Sequence, residues 1–169
     1  MAYVFSKAVE AVVPAAPEDV FAVLDDPRRL GRHMERPSMM MLGGSMHYTL
    51  DEQEGRAVGS VIRVEGWVLG LPLSIIERIA ERDPPRRKVW ETIEEPRLLV
   101  FGNYRLGFEI ATEVGGSRVR VFIDYNLPRS RLGRLLGAHA YARWCLRRML
   151  AEASSASDEA TTSQIGAQP

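Results

Sequence analysis

Only one stretch of this chain has the period of a long helix, and it comes after everything else that can fold. From Pro128 to Glu152 the residues read PRSRLGRLLGAHAYARWCLRRMLAE. Leu132, Leu135, Leu136 and Ala142, then Leu146, Met149 and Leu150, recur at helical spacing as one apolar stripe. His139 and Arg143, one turn apart, fall in the middle of that stripe, with Arg134, Tyr141 and Arg148 opposite. Ser130 is placed as an N-cap after Pro128 has ended the strand before it. Unpaired polar groups are costly in a core. Either this face closes a partly wet cavity, or the imidazole and guanidinium find partners inside.

What precedes the helix is nearly all β. Residues 46–54, 57–69, 73–82, 88–95, 98–113 and 118–127 read as strands. Gly55, Gly70-Leu71-Pro72, Asp83-Pro84-Pro85, Pro96 and the hairpin signal Gly115-Gly116-Ser117 separate them. Val119, Val121, Ile123 and Tyr125 share one face of the last strand. Residues 3–13 read as a first strand, with Val4, Ala8, Val12 and Val13 its apolar set. Pro17 then opens a short helix that buries Val20, Phe21 and Leu24, and Asp26-Pro27 ends it and caps a second one carrying Leu30, His33 and Met34. Strands joined by short turns imply an antiparallel sheet. The expected class is α+β: a curved seven-stranded antiparallel sheet gripping one long C-terminal helix, with two short helices between strands 1 and 2. Residues 153–169, rich in Ser, Ala, Thr and Gln, read as a disordered tail, so a chain ending at Glu152 is expected to be as stable as the whole.

Composition excludes several classes. At 169 residues the chain suits one domain, and a formal net charge of zero gives no overall field for nucleic acid. The arginines on or beside the last helix, including Arg129, Arg131, Arg147 and Arg148, read as a solvated face or as a surface for transient membrane or protein contact. Cys145 is the single cysteine, which excludes an intramolecular disulfide and a cysteine metal cluster; it reads as structural. The three histidines, His33, His47 and His139, lack metal-ligand spacing, so no metal is expected, and no cofactor motif is present. G-x-S-x-G, H-E-x-x-H, P-loop and G-x-G-x-x-G patterns are all absent. With no signal-peptide pattern and no run long enough to span a bilayer, a soluble cytoplasmic protein is expected.

The loop 35–45 is unusual in content. Met34, Met39, Met40, Met41 and Met46 are five of the seven methionines in the chain. Methionine adapts to varied apolar partners, so Met39, Met40 and Met41 are candidate ligand contacts; gap-filling in a core is the alternative.

Three pieces now carry a resemblance: AAPEDVFAVLDDPRRLGRHM after the first strand, ERDPPRRKVWET at a hairpin, and the closing amphipathic helix. Over residues 3–152 the chain resembles the START/SRPBCC superfamily, the helix-grip fold, near its polyketide cyclase and lipid-transport branch. The resemblance implies that residues 1–152 form a ligand-binding domain with the ligand between the long helix and the concave sheet. It implies a cavity wall made by Leu135, Leu136, His139, Arg143 and Leu146. Trp67, Trp90, Tyr104, Phe108 and Tyr125 are the candidate large wall residues from the sheet. Arg63, Glu65, Glu77 and Arg105 project inward or lie on exposed faces, since a slip of one residue exchanges the faces. The leading function is binding or transport of a hydrophobic small molecule, lipid- or polyketide-like, with an anionic or polar head. The alternative is a cyclase or dehydratase in which His139 acts as acid or base and Arg143 holds an enolate or carboxylate. A third class is a protein-interaction module that uses the arginine-rich helix and the tail.

Overall fold

The structure, a computed structural model, describes residues 2–35, 44–68, 70–129 and 137–165. Alternating strands joined by tight turns give β2 (Ser45–Leu50), β3 (Val61–Val68), β4 (Leu71–Asp83), β5 (Arg87–Thr92), β6 (Tyr104–Glu113) and β7 (Gly116–Tyr125). Each pairs antiparallel with the next, and β1 (Phe5–Val13) pairs with β7. The sheet order is β1-β7-β6-β5-β4-β3-β2, so β1 and β2 are the two edges. Between them in sequence come α1 (Pro17–Asp25) and α2 (Pro27–Glu35), and α3 (Ala138–Ile165) closes the chain. The expected helix-grip α+β class holds.

Local chemistry explains the short elements. Pro17 starts α1, with Glu18 and Asp19 in the first turn where the helix dipole favours carboxylates. Asp26 caps α2 by accepting the Arg28 N–H at 2.9 Å. The β6–β7 turn is Val114-Gly115, and Gly115 supplies the left-handed φ of +81° that it needs.

Faces are decided by register. On β7, Val119, Val121, Ile123 and Tyr125 are all buried on the concave side, as expected. On β1 the expectation fails. Pairing of Phe5 with Tyr125, Val9 with Val121 and Val13 with Ser117 sets the odd-numbered residues inward, leaving Val4 and Val12 exposed. Residues 98–103 do not extend β6. They form an irregular segment that follows an isolated bridge between Ser74 and Arg97, and Phe101 within it is buried.

A bulge has the largest consequence. The register of β4 against β5 shifts between Ile79 and Glu81, so Ile79 and Arg82, three residues apart, turn to the same side. Arg82 thereby reaches Asp25 at the end of α1, and its guanidinium lies 5.4 Å from the centre of the Phe21 ring.

Helix α3 ends later than its hydrophobic pattern suggests, and residues 130–136, read as its start, lie outside the described residues. Its inward stripe is Ala138, Ala142, Leu146, Met149, Ala153 and Ala156, packed against α1, β1 and β7. Four alanines in that stripe let the helix lie close to its neighbours. The stretch read as a tail is helical as far as Ile165, with Ala153 and Ala156 0% and 1% exposed and Ser155 Oγ accepting a hydrogen bond from Arg29 at 3.1 Å. Truncation after Glu152 is therefore expected to destabilise the protein by about 2 kcal/mol, from the buried methyls and the lost hydrogen bond. A urea melt of the truncated chain checks this, and an unchanged midpoint would show that the last turns contribute nothing.

Candidate functional site

The sheet curves away from α3 near β3 to β6 and encloses a cavity of about 460 Å³. Its floor is the concave face: Ile62 and Val64 from β3, Ile75 and Ile79 from β4, and Trp90 from β5. Leu30 and Gly31 of α2 close one end, and Leu98 to Phe101 close another. A side chain at Gly31 would strike the Tyr48 ring, with its Cβ only 2.4 Å from a ring carbon, so glycine there lets the ring lie against α2. From α3 the wall takes Tyr141, Cys145 and Met149, successive turns of one face.

Into this apolar space the sheet sets a few polar groups. Glu77 of β4, 7% exposed, accepts a hydrogen bond from the Tyr104 hydroxyl and another from Trp90. Burial pushes its carboxyl up to about 7, against the pull of those two donors and of the Lys88 charge. Burial also raises the Tyr104 hydroxyl well above its ordinary value, and the carboxyl beside it adds to that. The Cys145 thiol is pushed by burial up to about 12, so it stays protonated and is a poor nucleophile.

Lys88 is 2% exposed and would be untenable alone. Its Nζ donates to the Asp25 Oδ1 and to the Asp25 backbone carbonyl, both at 2.7 Å. Arg82 donates to both carboxylate oxygens of Asp25 at 3.1 and 2.8 Å. Burial alone would raise the Asp25 carboxyl, but the hydrogen bonds from Arg82 and Lys88 outweigh it and hold it below its usual range. For Lys88, burial lowers the ammonium further than Asp25 restores it. The cluster ties the end of α1 to β4 and β5 beside the cavity.

Residues 5–155 match the family described as polyketide cyclase / dehydrase and lipid transport. The chain belongs to that family. Its members bind hydrophobic ligands. Among solved structures, TTHA0849 from Thermus thermophilus is similar at 19% identity and a TM-score of 0.64, covering 92% of this chain and 99% of that one. Ara h 8.0201 is similar at 11% identity and a TM-score of 0.61, over 89% and 95% of the two chains. The di-domain ARO/CYC BexL from the BE-7585A biosynthetic pathway matches at 18% identity and a TM-score of 0.61, over 89% of this chain and 49% of that one. These likenesses show the shared fold. No curated protein matches the sequence. No helix among the described residues is long and apolar enough to cross a membrane.

The predicted site residues divide. Trp90 and Tyr104 line the cavity. Phe108 is fully buried but packs edge-on against Phe21 of α1, outside the cavity wall. Tyr125 lies behind Phe101, ring centres 5.1 Å apart, and its hydroxyl meets His139 Nδ1. Trp67 is 61% exposed on the outward face of β3. Leu146 is buried against the sheet and α1 side of the helix, away from the cavity.

His139 and Arg143 are exposed and outside the cavity. Each is two residues from Tyr141, roughly 160° around the helix from the residue that does face in. His139 instead sits beside Phe5 of β1, ring centres 5.0 Å apart. Leu135, Leu136, Met39, Met40 and Met41 lie outside the described residues, as do the side chains of His33 and Met34. Of the charged strand residues, Glu77 turns inward, while Arg63 and Glu65 are exposed and Arg105 pairs with Glu81 on the outer face. Lys88 and Asp25 escape a reading of the sequence, since each looks like an ordinary charge at an element's end.

Proposed function

We propose that this protein binds a hydrophobic small molecule in the cavity between the sheet and α3. The observation that carries the reading is the cavity itself: about 460 Å³, walled mainly by aliphatic and aromatic side chains, with Glu77 as a buried polar group in its wall. That combination of volume, apolar lining and few convergent polar groups suits a small organic ligand. Family membership supports it.

The test uses Nile red, an uncharged environment-sensitive dye. Wild-type protein is expected to bind it, and Val64→Phe, which adds a ring to the cavity floor, is expected to weaken binding at least about tenfold with little loss of stability. Arg143→Leu, outside the cavity, serves as the control. Equal binding by wild type and Val64→Phe would overturn the reading.

One observation favours a second reading. A carboxyl that titrates near 7 beside a tyrosine hydroxyl, in an apolar cavity, suits general acid–base work on a polyketide-like substrate. Under that reading Glu77 takes the role assigned by sequence to His139. Recovery of an altered product from added substrate, lost in Glu77→Gln, separates the enzyme from the carrier.

A further inference from the structure

The ionisable groups on the described cavity wall are few, and each has an assigned partner or a high affinity for its proton. Lys88 is the sole cation among the described lining residues, and both of its hydrogen bonds go to Asp25. Its ammonium is held by Asp25, which Arg82 also holds. Glu77 is the sole carboxyl there, and its two protein partners, Tyr104 and Trp90, sit on the adjoining strands β5 and β6.

An anionic head group entering this space would meet the Glu77 carboxyl and a lysine already paired with aspartate. It would lose its hydration with no free cation on the described wall to compensate. An ammonium would fare little better, since the charge of Lys88 reaches Glu77 and would repel it there. An uncharged hydroxyl escapes both costs. It donates to Glu77 when the carboxyl is ionised and accepts from it when protonated, and a ketone oxygen accepts from the protonated form. Resting on the carrier reading, we propose that the ligand is an uncharged apolar molecule bearing a hydroxyl or carbonyl group, and that Glu77 is the residue that seats this group. Arg143, the cation expected from sequence to hold an anionic head, lies on the outer side of α3.

The experiment is competition against Nile red at pH 7.5 with 2-naphthol, 2-naphthoate and 2-naphthylmethylammonium, which share one ring system. The naphthol is expected to compete at least about tenfold better than either charged probe. Glu77→Leu, which deletes the hydrogen-bonding group, is expected to weaken the naphthol about tenfold and to narrow its advantage. Glu77→Gln, which keeps it, is expected to preserve the order of the three. Should Glu77→Leu fail to fold, the wild-type order and the Glu77→Gln order decide. Naphthoate or the ammonium competing as well as the naphthol would overturn the proposal while the carrier reading stands. Selectivity for naphthol that survives in Glu77→Leu would overturn the role of Glu77. Failure of Nile red itself to bind would remove both.

Discussion

Asp25→Asn is expected to destabilise the protein by about 3–5 kcal/mol, the cost of leaving a buried charge without its partner. The substitution keeps the shape of the side chain and removes the anion. Lys88, at 2% exposure, then loses its hydrogen-bonded counter-charge and has little water to replace it. Arg82 suffers less, because a quarter of its side chain is already exposed and can turn outward. The introduced amide still offers one acceptor, and the backbone carbonyl at position 25 still accepts from Lys88, so the loss is electrostatic rather than one of packing. The double variant Asp25→Asn, Lys88→Met is expected to recover more than half of the deficit, since no unpaired charge then remains buried. Urea unfolding at pH 7 gives both numbers. A single-variant loss below about 1 kcal/mol would mean that the cluster is far wetter than its burial implies.

Glu77→Gln is expected to act in the opposite direction, and to do so with a pH signature. The folded-state carboxyl titrates near 7 because it is buried, while in the unfolded chain it titrates near 4.5. Well below 4.5 both states are protonated, and above about 7 both are ionised. Between these limits the folded state holds the proton and the unfolded state does not, so stability falls as pH rises through this window. At about 1.4 kcal/mol per pH unit the fall is about 3 kcal/mol. Glutamine has no such transition and still offers an acceptor to Tyr104. The variant is therefore expected to match wild type near pH 4.5 and to exceed its stability by up to about 3 kcal/mol at pH 8. Parallel urea melts across that range check it. Parallel pH profiles for wild type and variant would show that Glu77 is not the buried titrating group.

The cost of holding Glu77 at neutral pH is itself informative. An aliphatic residue at that position would avoid it, yet the carboxyl is supplied with two donors and set in the wall of an apolar cavity. Strain or instability concentrated at one buried polar group is what a binding or catalytic site commonly carries.

Periodicity by itself determined the element order. Period-two runs between turn residues specify strands, and only the last stretch has period 3.6, so seven strands, two short helices and a closing helix are legible in the chain. Local side-chain chemistry likewise marked Pro17 and Asp26 as helix starts. Tertiary structure decided which faces point inward. On α3 the buried stripe keeps Ala142, Leu146 and Met149 of the expected one and adds Ala138, Ala153 and Ala156, since hydropathy cannot distinguish an alanine pressed against α1 from one in solvent. Its rotation moved His139 and Arg143 outward and brought Tyr141 and Cys145 to the cavity. On β4 a single extra residue at the bulge turned Arg82 toward Asp25, a displacement that strict alternation does not foresee. Glu77 was visible as a charge within a strand, but its face followed only from its pairing with Thr92 on β5. The site depends on residues that meet across 27 positions of sequence, as Tyr104 meets Glu77, or across 63, as Lys88 meets Asp25, and such meetings are set by packing rather than by any local pattern.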